Sequence, residues 1–74
     1  MIDQYAYDVV FELRKNAIDI RRQIESSTEP DRTFLEGKLL AYNEVLSLII
    51  TQAHSFGIDP AAFGLVDFDP DRDL

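Results

Sequence analysis

Apolar residues recur along the first third of the chain as Ala6, Val10, Leu13, Ala17, Ile20 and Ile24, with spacings that alternate four and three. That is the period of one helix face packed on a neighbour. The opposite positions Asp8, Glu12, Lys15, Asp19 and Arg22 are charged and predict a solvated face. Tyr7, Phe11 and Ile18 flank the seam and widen it into a stripe broader than a two-stranded coiled coil requires. A first helix is predicted over about 3–25.

The pattern breaks at Ser26-Ser27-Thr28-Glu29-Pro30-Asp31. Serine and threonine compete for backbone hydrogen bonds, and a proline disfavours helical angles at the residue before it. Pro30 suits the first turn of a new helix, and Asp31 there complements the helix dipole. A connection this short predicts two antiparallel helices.

The second seam reads Leu35, Leu39, Tyr42, Leu46, Ile49, Ala53 and Phe56, again alternating four and three, and predicts a helix over about 30–56. Phe34, Ala41 and Leu48 form a second column, with Leu40, Val45 and Ile50 on the flanks. Between Val45 and Ile50 the helix is apolar on most sides, more than one partner helix can cover. The thin polar line Gly37, Glu44 and Thr51 marks the solvent side. Gly57 predicts a C-terminal cap. Asp59-Pro60-Ala61-Ala62-Phe63-Gly64 then repeats cap, proline start and glycine stop, which predicts one helical turn at 60–63.

The expected fold is all-α: a two-helix antiparallel hairpin over 1–65 with a short C-terminal helical turn, dimerising into a four-helix bundle. Residues 66–74 are expected to form an acidic extended tail. Dimerisation follows from size. A chain of 74 residues without cysteine cannot use disulfides, and chains this short rarely bury enough surface alone. The expected dimer contacts are Tyr42, Val45, Leu46, Ile49 and Ile50.

Charge narrows the functional classes. The net charge is −7, and residues 57–74 hold five acids against one base. An acidic chain is a poor general ligand for nucleic acid or anionic membranes. Apolar runs such as Leu48 to Ile50 fall far short of the roughly 20 residues a membrane span needs. The N-terminus lacks the basic start and apolar core of a secretory signal, so a cytoplasmic protein is expected.

Asp67, Asp69, Asp71 and Asp73 alternate like the start of a calcium loop. Arg72 stands where that loop needs glycine, and no closing glutamate follows. A solvated acidic segment is the better reading, and no metal or cofactor is expected. Phe68 among these acids, with Asp67, Asp69, Phe63 and Leu65, forms a candidate docking element for a partner protein. Arg14, Lys15, Arg21 and Arg22 form a candidate basic patch on helix 1, explained either by pairing with nearby acids or by contact with RNA. The acidic tail folding across that patch is a third arrangement, and it would require Phe68 or Leu74 to be buried too.

His54, near the end of helix 2, has no cysteine or second histidine to join it, and no nucleophile or acid/base pair stands out. The chain is therefore expected to be a small non-enzymatic interaction or adaptor module acting as a homodimer. The alternative is a small regulator that binds RNA through the helix-1 patch, or binds a nucleic-acid-binding protein through its acidic tail.

Overall fold

The computed structural model describes residues 4–74, and every regular element in that range is helical. The expected start of the first helix near residue 3 falls outside the described residues. Helix α1 runs Gln4–Glu25 and buries Val10, Ala17 and Ile20, three members of its four-three seam. Its end is fixed by serine chemistry. The Ser27 hydroxyl and backbone N–H both donate to the Ile24 carbonyl, and those of Ser26 to Gln23. These bonds occupy carbonyls that lose their helical partners where the helix stops.

Helix α2 runs Asp31–Ser55, after a cis Glu29–Pro30 peptide, and Pro30 is its N-cap. Asp31 sits in the first turn, where a negative charge complements the helix dipole. The Thr33 hydroxyl donates to the Glu29 carboxylate, tying the connection to that turn. At the far end Gly57, at φ +70°, reverses the chain. The Ile58 N–H reaches the Ala53 carbonyl at 2.7 Å and the Gly57 N–H reaches His54 at 3.1 Å. This paired closure is a Schellman cap, and it brings half-buried Ile58 back towards buried Ala53.

The chain then forms a single tight turn of helix, Pro60–Phe63, capped by the Asp59 carboxylate accepting from the Ala61 N–H. Gly64, at φ +83°, closes it. An added Cβ there would lie 3.1 Å from the Tyr7 hydroxyl oxygen and 3.2 Å from ring carbons, so glycine serves both the turn and the close approach of that aromatic ring.

Leu46 and Ala17 are wholly enclosed, and with Val10 and Leu65 they form the core, with Leu13, Leu39, Tyr42, Ile49, Ile50 and Phe63 packed around it. No buried side-chain polar atom among the described residues lacks a partner. The molecule is elongated, 44 × 21 × 17 Å, the proportions of one helix pair.

Two expectations need correction. Residues 66–74 are not extended throughout. After a bend at Asp67, with φ 50°, the chain forms helix α3 at Pro70–Asp73, and Pro70 is buried. The cause is a second use of the Asp-Pro start seen at Asp59-Pro60. The Asp69 carboxylate accepts from the Asp71 N–H at 3.0 Å, while the Asp69 N–H donates to Asp73 at 3.0 Å. Secondly, Leu46 is 0% exposed within its own chain. It is a hairpin core residue and has no surface to offer another copy.

Candidate interaction surface

The tail lies along the groove between α1 and α2. On the α1 side, the Arg14 guanidinium donates to the Gly64 carbonyl at 2.8 Å and stands 4.9 Å above the Phe68 ring. A cation over an aromatic face is attracted by the ring quadrupole. On the α2 side, the Asn43 amide donates to the Pro70 carbonyl at 3.0 Å. Phe68 and Leu74 both pack against the core. The tail is thus held through the Pro70 carbonyl and its apolar side chains, and Arg14 also fixes the Gly64 carbonyl just ahead of it.

Arg72 organises the tail from within. Its guanidinium donates to the Asp67 carbonyl at 2.6 Å and to Asp73 at 2.8 and 2.9 Å. These partners, with Asp73 first, hold it protonated well above its usual range. In return the Arg72 hydrogen bond, aided by the Asp69 N–H, lowers the Asp73 carboxyl from 3.8 to about 2. The sign of the pH effect follows from linkage. Asp73 favours the folded tail fully above about pH 4, and that contribution fades as the pH falls to about 2. The Phe68 ring and Leu74 methyl resonances are expected to move towards random-coil values over that window, ahead of any loss of far-UV helicity. Unchanged resonances down to pH 2 would contradict this coupling.

The residues picked out from the sequence are distributed as follows. Of the expected docking element, Leu65 is core at 4% exposure and Phe63 packs against the core. Phe68 is half-buried under Arg14. Asp67 is exposed and faces Arg72, and Asp69 caps α3. Leu65 therefore does not stand free as a docking side chain, because it closes the hairpin end beside Val10 and Leu46. The basic patch divides. Arg14 holds the tail, whereas Lys15, Arg21 and Arg22 pair along α1 with Glu12, Glu25 and Asp19 at 3.9, 3.1 and 4.0 Å. Arg14, Arg21 and Arg22 share the rim of a polar hollow with Asp67, Phe68, Arg72 and Asp73. The tail-side residues Asn43 and Pro70 were not anticipated. The Asp69-Pro70 pair carried a signal, since it repeats Asp59-Pro60, whereas nothing local marks Asn43.

Two open surfaces remain. The first continues the tail's groove towards the α1–α2 connection. There a hollow of about 410 Å³ is lined mainly by Ile24, Leu39, Leu40 and Leu74, with Arg21, Glu25, Glu36 and Asn43 at its polar margin. The second is the side of the hairpin away from the tail. At 3.6 residues per turn, Val9, Leu13 and Asn16 on α1 and Tyr42, Val45, Ile49 and Gln52 on α2 fall opposite Arg14, Ile18 and Asn43. None of these seven residues is charged, but Val9, Leu13 and Asn16 line a shallow hollow together with Asp8 and Glu12, so carboxylates edge the strip. Val9 is 41% and Val45 42% exposed, and the neighbouring Leu48 is 58% exposed. Tyr42 and Ile49 are half-buried at the edge of the same strip.

His54 is exposed near the end of α2. No group of three or more His, Cys, Asp or Glu side chains among the described residues is placed to hold a metal ion, and no described helix is long and apolar enough to cross a membrane. Comparison of the chain with protein-family models, with curated proteins and with solved structures returns no significant match.

Proposed function

We propose that this chain is a non-enzymatic protein-interaction module that acts as a homodimer, pairing its largely apolar strip with the same strip of a second copy to give a four-helix bundle. The observation that carries this reading is the strip itself: a partly exposed apolar surface that spans both helices on the side the tail leaves bare. Each copy carries −7, which opposes association. A contact centred on Val45 and Ile49 leaves Asp8 and Glu12 at its margin, where they can stay hydrated. Burial of apolar surface contributes roughly 25 cal/mol per Å². A symmetric pair uses the same patch on both partners, so one strip serves both sides of the interface. Of the expected contacts, Tyr42, Val45 and Ile49 retain some exposed surface on this strip, and Val9 and Leu48 join them, whereas Ile50, seven residues after Asn43, falls on the tail side.

An RNA-binding role for the helix-1 patch has less support, because Arg14 is engaged with the tail and the other three bases are each paired with an acid.

Light scattering after size exclusion, over a range of concentrations, tests the proposal. The expected mass is twice the 8.5 kDa of one chain. Val45→Glu combined with Leu48→Glu is expected to halve that mass while the helical circular dichroism persists, because each dimer would then bury four carboxylates without partners. A wild-type chain that stays monomeric throughout would overturn the homodimer.

A further inference from the structure

We infer that the outward line of α2 is a self-recognition surface: it pairs antiparallel with the same line of a second copy, with Val45 on the two-fold axis and the α1–α2 connections at opposite ends of the dimer. This rests on the homodimer reading, and it assigns the contact to one helix and gives it a direction.

Eleven residues make three turns of helix to within about 20°. Phe34, Val45 and Phe56 therefore stand in one line along α2 and its C-cap. Phe34 is 69% and Phe56 76% exposed, unusual for such large apolar side chains. Lys38 and Gln52 lie seven residues to either side of Val45, on the same line. Tyr42 and Leu48 lie three to either side and flank it. The pattern reads alike in both directions from Val45, with a large side chain at three, a polar one at seven and a phenylalanine at eleven. Such a line is matched by a copy of itself turned end for end. Phe34 then meets Phe56 of the second copy at both ends of the contact, and the Lys38 ammonium donates to the Gln52 amide oxygen. A two-fold axis requires this reciprocity, whereas an unrelated partner places no such demand on the spacing. Aromatic pairs contribute beyond the area they bury, so the two end contacts fix the register.

Charge disfavours the other alignments. Two copies of α2 side by side in the same direction would bring Lys38 against Lys38. Val10 and Leu46 share the core and the helices of the hairpin run antiparallel, so Leu48 stands level with Asp8. Packing α2 on the α1 of a second copy, with both connections at one end, would lay Leu48 on the carboxylates of Asp8 and Glu12, which edge the α1 side of the strip. Packing α1 on α1 would bring those carboxylates together. Both arrangements strip water from unpaired ions. A contact carried by α2 leaves them at its margin.

The chain has no cysteine, so introduced thiols report on this contact alone. A disulfide forms where two Cα atoms come within about 7 Å. Val45→Cys is expected to give a disulfide-linked dimer on mild oxidation, because a residue on the axis meets itself. Two copies of position 38 stand about 21 Å apart along the pair, as do two of position 52. Lys38→Cys and Gln52→Cys are therefore expected to link in a 1:1 mixture at least about tenfold faster than either does alone, as thiols held at a high effective concentration require. The phenylalanines give a second readout that needs no thiol. Phe34→Ala and Phe56→Ala remove the same contacts, so the double variant is expected to weaken the dimer by much less than the product of the single effects. A wild-type dimer in which helical Val45→Cys stays unlinked, or in which Lys38→Cys links to itself, overturns this pairing and leaves the homodimer standing. Fully multiplicative effects of the two phenylalanines do the same. A wild-type chain that stays monomeric in light scattering overturns both.

Discussion

Replacing Leu46 with alanine is expected to cost about 2–5 kcal/mol of folding stability, the range for truncating a fully buried leucine. Leu46 is the largest wholly enclosed side chain among the described residues, and it meets Val10, Ala17 and Leu65 at the centre of the core. These neighbours come from α1 and from the chain beyond the Pro60–Phe63 turn, so no single element can move in to fill the cavity. Small domains have a total stability of only about 5–15 kcal/mol, and a short chain lies towards the low end. The loss corresponds to a fall in melting temperature of roughly 4–8 °C for each kcal/mol. Urea unfolding at one fixed protein concentration is the measurement, with the midpoint expected to fall and the slope to hold. A cost under about 1 kcal/mol would mean that Leu46 is not the packing centre the structure shows.

Arg14→Ala is expected to release the tail while leaving the hairpin folded. The substitution removes a charge-assisted hydrogen bond, worth about 1.5–3 kcal/mol, and a cation–aromatic contact of about 0.5–1 kcal/mol. Both contacts are made by a half-buried side chain, and without it the Gly64 carbonyl loses its 2.8 Å donor. The lost hydrogen bond loosens the hairpin end at Gly64, and the lost contact with Phe68 weakens tail docking itself by about 0.5–1 kcal/mol. Amide hydrogen exchange should show faster exchange for residues 66–74 with little change across α1 and α2. Arg14→Lys keeps the charge but not the planar fork, so it is expected to fall between wild type and alanine. Equal protection of the tail in all three proteins would assign Arg14 no role in holding it.

The two long helices were legible because their information is local. The four-three seams named Val10, Ala17, Ile20, Leu46 and Ala53, and all five are buried. Gly57 and Asp59-Pro60 announced the reversal and the short turn through backbone chemistry that operates within six residues. Leu46 shows the limit of periodicity. A seam position is predicted to be buried, but the pattern does not say against which partner, so a hairpin core residue was indistinguishable from a dimer contact. The tail shows a second limit. Its Asp69-Pro70 start was readable by the same grammar as Asp59-Pro60, but the alternation of four aspartates drew attention to charge instead of capping. Its docking was one of three arrangements open to the acidic tail and the basic patch, with Phe68 or Leu74 buried, but the contacts that fix it were not legible, since Arg14 and the Gly64 carbonyl lie 50 residues apart and Asn43 and Pro70 27 apart, with no repeating pattern to link them.

Those separations also order the events of folding. The α1–α2 connection closes a short loop, which is fast and loses little entropy, whereas tail docking must close much longer ones. The hairpin therefore forms first and the tail settles on it afterwards, as a separate cooperative unit that can detach while the helices stay paired. The docked tail lends its packing energy to the melting of the protein, so a variant whose tail is already free is expected to melt as the bare hairpin does.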